Sequence, residues 1–259
     1  MKINLTTVLC SAAVVASLLP RTAIAVYVTY DTTRYWDGGS SIGGWGPGQS
    51  STLGETFVAP AGDSVVLNDF SFFAESYNPY NVGIARLYLQ AFVFEWSGNM
   101  TGQGGGASGN ALYLGPTFLF SPPPFPGGWV PLRANPGGNG LTLSAGHHYV
   151  MGFTLSAPAN YAASFGDIEF EETIPLTSAV DAGGGAVWLN NGNNFAALNT
   201  TTWDTWGDTG DLAFTAHLTV VPEPTALSMT AILVAFAAAR KIVVRTTKTK
   251  HISGLRHSG

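Results

Sequence analysis

The residues of this chain best placed to act together are two groups of carboxylates. In Asp167-Ile168-Glu169-Phe170-Glu171 the acids alternate with apolar residues, which on a strand puts Asp167, Glu169 and Glu171 on one face. In the stretch "WDTWGDTGDLAF", Asp204, Asp208 and Asp211 stand in a polar loop that leads into a strand. Three carboxylates in one place repel one another unless water or a cation screens them, so either group is a candidate Ca²⁺ site, although neither has EF-hand spacing. A solvated face or turn is the alternative. A glycosidase would need two such acids about 5 Å or about 6.5 to 9.5 Å apart across a sugar. The sequence supplies the carboxylates without the geometry.

Other motifs are weaker. Gly39-Ser40-Ser41-Ile42-Gly43 matches the G-x-S-x-G string of a nucleophile elbow, but a glycine-rich loop with no following helix stands where the strand-to-helix turn is needed. "GQGGG" likewise lacks the strand and helix that frame a phosphate loop. His147 and His148 are adjacent, so on a strand they point to opposite faces and cannot ligate one ion. Tyr35, Trp36, Trp45, Trp188, Trp203 and Trp206 sit in or beside Gly/Asn/Asp-rich loops, where a flat ring can stack on a sugar. Core packing at loop hinges is the competing use of such tryptophans.

The elements that must position these residues are strands. No segment between Val26 and Val221 keeps a 3.6-residue apolar period, whereas alternation is common. "IARLYLQAFVFEW" sets Ala85, Leu87, Leu89, Ala91 and Val93 on one face and Ile84, Arg86, Tyr88, Gln90 and Phe92 on the other. In "SVVLNDFSFFAES" Val65, Leu67 and Asp69 share one face and Val66, Asn68, Phe70 and Phe72 compete for the other. Further strands are expected at Val26–Tyr30, Thr52–Val58, Ala111–Phe120, Gly128–Leu132, His148–Leu155, Ala186–Asn190 and Leu212–Val220. Between them "DGGSSIGGWGPGQSS", "SGNMTGQGGGASGN", "SPPPFPGGW", "NPGGNG" and "DAGGG" read as turns, because glycine supplies positive φ and proline fixes φ. About ten strands in one domain predict an all-β antiparallel sandwich or jelly roll.

Charge divides the chain. From Val26 to Val221 three arginines face fifteen carboxylates and there is no lysine, a net charge of −12. Such a surface repels phosphate backbones, which excludes nucleic acid as a partner. The remaining eight Lys and Arg lie at the two ends. At the first, Lys2, an apolar run from Val8 to Leu19, Pro20 and the small-x-small step Ala23-Ile24-Ala25 read as a signal peptide over residues 1–25, cleaved after Ala25. The only cysteine, Cys10, would leave with it, so the exported domain, 26–220, has no disulfide and no thiol ligand.

At the other end, 221–259, Val221-Pro222-Glu223-Pro224 precedes a charge-free run from Thr225 to Ala239, and six basic residues beginning with Arg240 and Lys241 follow with no acid among them. The positive-inside rule puts that basic end in the cytoplasm and the domain outside. Fifteen residues span about 22 Å as a helix against about 30 Å of hydrocarbon, and snorkelling by Arg240 and Lys241 makes up the shortfall. This order of motif, apolar run and basic cluster resembles the PEP-CTERM sorting signal, with the difference that the charge is spread over about twenty residues, 240–259. The resemblance implies a transmembrane helix over 225–239, processing by an exosortase near the Pro-Glu-Pro, and a host that makes exopolysaccharide. More faintly, "GETFVAPAGDSVVLNDFSFFAES", "LTLSAGHHYVMGFTLS" and "DLAFTAHLTVVPEP" resemble the choice-of-anchor β-sandwich domains, which implies a fold and no active site.

The expectation is therefore a non-catalytic protein, secreted or held at the cell surface and associated with extracellular matrix or exopolysaccharide. Its partners would be the membrane, an exosortase-type enzyme and polysaccharide, and it would need no cofactor unless the acidic groups hold Ca²⁺. A carbohydrate-active enzyme or a Ca²⁺-dependent adhesin on the same sandwich is the alternative.

Overall fold

A computed structural model describes residues 25–62, 64–77, 85–100, 104–122, 128–173, 184–205 and 211–221. The expected signal peptide up to Ile24, the apolar run 225–239 and the basic end lie outside the described residues. Residues Ala25–Val221 form one compact unit.

The fold starts from the longest strand, β4 (Ser64–Tyr77). Its alternation is interrupted once, because Leu67 pairs with Leu218 while Asp69 pairs with His217, leaving Asn68 as an extra residue. A bulge of one residue moves every later side chain to the opposite face. Val65 and Leu67 before it and Phe70, Phe72 and Ala74 after it are therefore all buried in one core. Neither of the two faces expected for this segment holds along its whole length.

β4 organises the first sheet. On one edge it pairs with β14 (Phe214–Val221) over Ser64 to Phe72 and with β11 (Asp167–Thr173) over Ala74 to Tyr77. On the other edge it pairs with β9 (Leu141–Leu143) and β8 (Val130–Ala134). β1 (Val26–Asp31) extends the sheet beyond β14, and β2 (Trp36–Trp45) beyond β11. The second sheet runs in the order β13 (Asp204–Thr205), β12 (Ala186–Leu189), β3 (Thr52–Val58), β10 (His148–Thr154), β5 (Leu87–Ser97) and β6 (Gly106–Leu114). β7 (Phe118–Phe120) pairs with β5 over Leu87 to Leu89. Every strand pairing in both sheets is antiparallel, as the sequence predicts for an all-β fold.

The two sheets share an apolar core to which Phe70, Phe72, Phe170 and Phe214 come from the first and Phe57, Leu87, Leu89, Val93 and Phe153 from the second. Phe72 lies at its centre, with ring centroids 5.7 Å from Phe153, 6.2 Å from Phe170 and 6.3 Å from Phe214. The sheets are also tied at their ends. Glu55 of β3 is fully buried and its Oε2 accepts the Leu212 N–H at 3.1 Å, while Thr32 Oγ1 donates to Leu212 O at 2.9 Å.

β5 explains its own composition. Leu87, Leu89, Ala91 and Val93 enter the core between the sheets, and Phe92, Phe94 and Trp96 enter a second apolar cluster on the outer side, beneath Leu198 and Trp203. The cluster fits closely because Gly54 and Gly152 pair there without side chains. A Cβ on Gly152 would run into Leu53 O and the Phe92 ring.

The reading of the glycine-rich stretches as turns needs two corrections. The last residues of "SGNMTGQGGGASGN", 106–110, open β6. "WDGGSSIGGW" is β2, an edge strand of the first sheet, whose inward contacts are made by Ile42 and Trp45 alone, at 3% and 2% exposure. An edge strand with one wet face tolerates glycine and serine elsewhere. The expected strand Ala111–Phe120 is likewise divided into β6 and β7 around Gly115-Pro116-Thr117. A short helix, α1 (Pro158–Ala163), interrupts the strand pattern before β11.

Truncating the central ring tests this architecture. Phe72→Ala should lower unfolding stability by about 3–5 kcal/mol, read as an earlier urea midpoint with an unchanged slope.

Candidate functional site

Because Phe70, Phe72 and Ala74 face inwards, Ser71, Phe73 and Glu75 face outwards on β4. On β11 Ile168 and Phe170 face inwards, which leaves Asp167, Glu169 and Glu171 outwards. The alternation read from the sequence thus places these three acids on one face, and the register adds a fourth by setting Glu75 directly opposite Glu169. Glu75, Glu169 and Glu171 are only 5%, 8% and 6% exposed although they lie on the outer side of the sheet.

Their cover is a pair of indoles. Trp36, at the start of β2, is in register with Thr173, and Trp129 immediately precedes Val130, which pairs with Ala74. β2 and β8 flank the two strands that carry the acids, yet the Trp36 and Trp129 centroids are 5.7 Å apart and meet edge to face. The two rings therefore reach towards each other across the outer faces of β11 and β4. The Trp36 ring is held by its Nε1–H, which donates to Ser40 O at 2.8 Å. The tight turn that brings Ser40 back is fixed by Asp37, whose Oδ1 accepts the N–H groups of Gly39 and Ser40 at 2.8 and 2.7 Å. The Ser40 amide, first among these bonds, lowers the Asp37 pKa.

Beneath the rings the carboxyls compensate one another. Glu75 shares a hydrogen bond with Glu169 and accepts the Gly128 N–H. Ser41 Oγ donates to Glu169 Oε2 at 2.8 Å. Burial, then the charge and hydrogen bond of Glu169, raise the Glu75 pKa. Burial, then the charge of Glu75, push Glu171 up to about 7. Asp167 is raised by burial. The only ion pair among the described residues is Asp69 with His217, 2.6 Å apart on the exposed part of the same face. A shared proton is the arrangement expected of facing carboxyls that lack a counter-ion.

Asp167, Glu169 and Glu171 share the outer face of β11, whereas Asp204, Asp208 and Asp211 do not all fall among the described residues. Among the described residues no group of three or more His, Cys, Asp or Glu is arranged to hold a metal ion. Glu169 is turned to Glu75 and Ser41. In the other group Asp204 is exposed on β13 and Asp211 is buried before β14, while Asp208 lies outside the described residues.

Two of the five tryptophans expected to stack on sugar are buried in the apolar clusters. Trp45 is 2% exposed and packs on Phe170 in the main core, and Trp203 is 1% exposed with its Nε1–H donated to Leu198 O. Neither ring has a free face. Trp188 is half-buried against the core, Trp206 lies outside the described residues, and Trp36 lies on the carboxylate face. Trp129, in the expected strand Gly128–Leu132, is not one of the tryptophans that the loop pattern singles out. The string at Gly39 to Gly43 lies within β2, where Ser41 serves Glu169. His147 and His148 are both exposed at the start of β10.

No protein-family model matches the chain, and no curated protein or solved structure matches it. No helix among the described residues is long and apolar enough to cross a membrane. Of the sorting motif and cleavage residues, Ala25 precedes β1 and Val221 ends β14. Ala23, Pro222, Glu223, Pro224, Arg240 and Lys241 lie outside the described residues.

The carboxyl row makes stability depend on pH. Glu171 holds its proton more tightly folded than unfolded, so its contribution is fully present below about pH 4.5 and is lost as the pH rises through about 7. Glu171→Gln should flatten that loss and lead the native protein at pH 8 by about 1–2 kcal/mol, allowing for solvent screening, with little difference at pH 4. Thermal melts across this range provide the measurement.

Proposed function

We propose that the chain is an exported, non-catalytic β-sandwich protein that a PEP-CTERM tail holds in the membrane until an exosortase-type enzyme releases it to the cell surface or extracellular matrix. The observation that carries this reading is the extent of the compact unit, Ala25–Val221. β1 begins at Val26, the first residue after the expected signal cleavage, and Val221 of β14 is the first residue of the expected sorting motif. Val26 pairs with Val220, so both junctions leave the sheet at one end. Removing residues 1–25 and the tail beyond Val221 takes away none of the described strands.

The chemistry of the carboxyl row supports the non-catalytic part. A glycosidase keeps its two carboxyls about 5 Å or more apart, with the sugar or a water between them. Glu75 and Glu169 bond directly to each other, which leaves room for neither. Glu171, with a pKa of about 7, is the one feature that a carbohydrate-active enzyme would share. With a net charge of −12 and no lysine from Val26 to Val221, the fitting matrix partner is a neutral polysaccharide, since an acidic one would be repelled.

Intact mass and membrane fractionation of the native protein and of Glu223→Ala test the sorting reading. The native chain should lose both ends and leave the inner membrane, whereas Glu223→Ala should stay there with its tail. If both forms remain in the inner membrane with the tail attached, the tail is a permanent anchor and the reading fails.

A further inference from the structure

The outer face of the first sheet holds more acid than its surroundings can neutralise. Glu75 and Glu169 are directly opposed across an antiparallel pair, where Cβ atoms stand about 4.5–5.5 Å apart. Glu171 lies two residues along the same face, 6% exposed, and its carboxyl has no hydrogen-bond partner among the described residues. The groups facing it are few. Its own strand brings Asp167 and Glu169, and β4 brings Glu75 and, further along, Asp69, which is bound to His217 of β14. β2 brings Ser41 and the exposed Asp37, which is engaged with its own turn. β8 brings Arg133, exposed and in register with Ser71, away from the indole pair.

Among the described residues no hydrogen bond ties either indole to β4 or β11, the Trp36 Nε1–H being donated to Ser40 O of its own strand. Trp129 follows Gly128 directly and Gly38 stands two residues after Trp36, both glycines in the left-handed region at φ +82° and φ +86°. Gly128 is also the residue whose N–H bonds Glu75. The Trp129 ring and the amide that bonds Glu75 thus belong to adjacent residues of one chain.

We propose that the Trp36–Trp129 pair is a proton-controlled lid over Glu75, Glu169 and Glu171, closed while the row holds protons and lifted when the row is fully ionised. With protons present, Glu75 and Glu169 share one and the neutral Glu171 sits beneath the rings without a counter-charge. When the last proton leaves, three like charges stand under an apolar cover with no cation bonded to them among the described residues, and admitting water is the least costly relief. Lifting the rings exposes an acidic face bounded by two indoles. The same cycle shuts that face in acid surroundings and opens it in neutral ones.

Acrylamide quenching of tryptophan fluorescence in the purified full chain tests this, scanned from about pH 4.5 to about 8.5 with far-UV dichroism to verify that the sheet stays folded. Quenching of the native chain should rise with a midpoint near 7, matching the Glu171 carboxyl. The rise should vanish in Glu171→Gln and shrink in both Trp36→Phe and Trp129→Phe, which remove the reporting rings. Glu75→Gln should move the midpoint towards acid, because it deletes the charge that opposes Glu171. A flat native profile, a midpoint unmoved in Glu171→Gln, or a rise unchanged in both tryptophan variants would each overturn the proposal.

Discussion

One strand has to satisfy two opposite demands, and the rest of the first sheet follows from how it does so. β4 must fill the core along its whole length and also present polar groups to the outside, yet strict alternation would carry its apolar set out of the core beyond Leu67. The unpaired Asn68 restores the phase. With it, Phe72 reaches the centre of the aromatic cluster and Glu75 lands opposite Glu169. Without it, Phe70 and Phe72 would face water and Glu75 would enter the core, so packing and the carboxyl row share one origin.

The distribution of charge follows from the absence of lysine. In many domains a buried or crowded carboxylate finds a lysine or arginine, but here three arginines serve fifteen acids between Val26 and Val221. Two of the crowded acids, Glu75 and Glu169, are therefore satisfied by each other, helped by the Ser41 hydroxyl and the Gly128 amide. Glu55 adopts another solution in the core, where it accepts the Leu212 amide and joins the sheets. In both places a carboxyl acts as a hydrogen-bonding group between strands more than as a charge.

What the sequence disclosed depended on the range of the interaction. β3 is found where alternation puts it, at Thr52–Val58, and the common face of Asp167, Glu169 and Glu171 follows from spacing on one strand. The Asn68 bulge left no local trace, because only its pairing with β14 reveals the extra residue. Glu75 was silent for the same reason, its significance coming from a strand far along the chain. β2 was hidden by glycine, since an edge strand needs only Ile42 and Trp45 to face the core. Trp36 and Trp45 flank one glycine-rich strand, yet one covers the outer face while the other packs on Phe170 within the core.

The position of β14 has a mechanical meaning. It lies between β1 and β4, hydrogen-bonded to both, and the chain continues directly from its last residue, Val221. Tension applied to that continuation pulls β14 along its own axis, so the bonds on its two edges are strained together in shear and cannot be opened one after another like a zip. Tension entering at Val26 acts on β1, which has a single neighbour, and from the end where Val26 pairs with Val220. The domain should therefore bear a load through β14 far better than through β1.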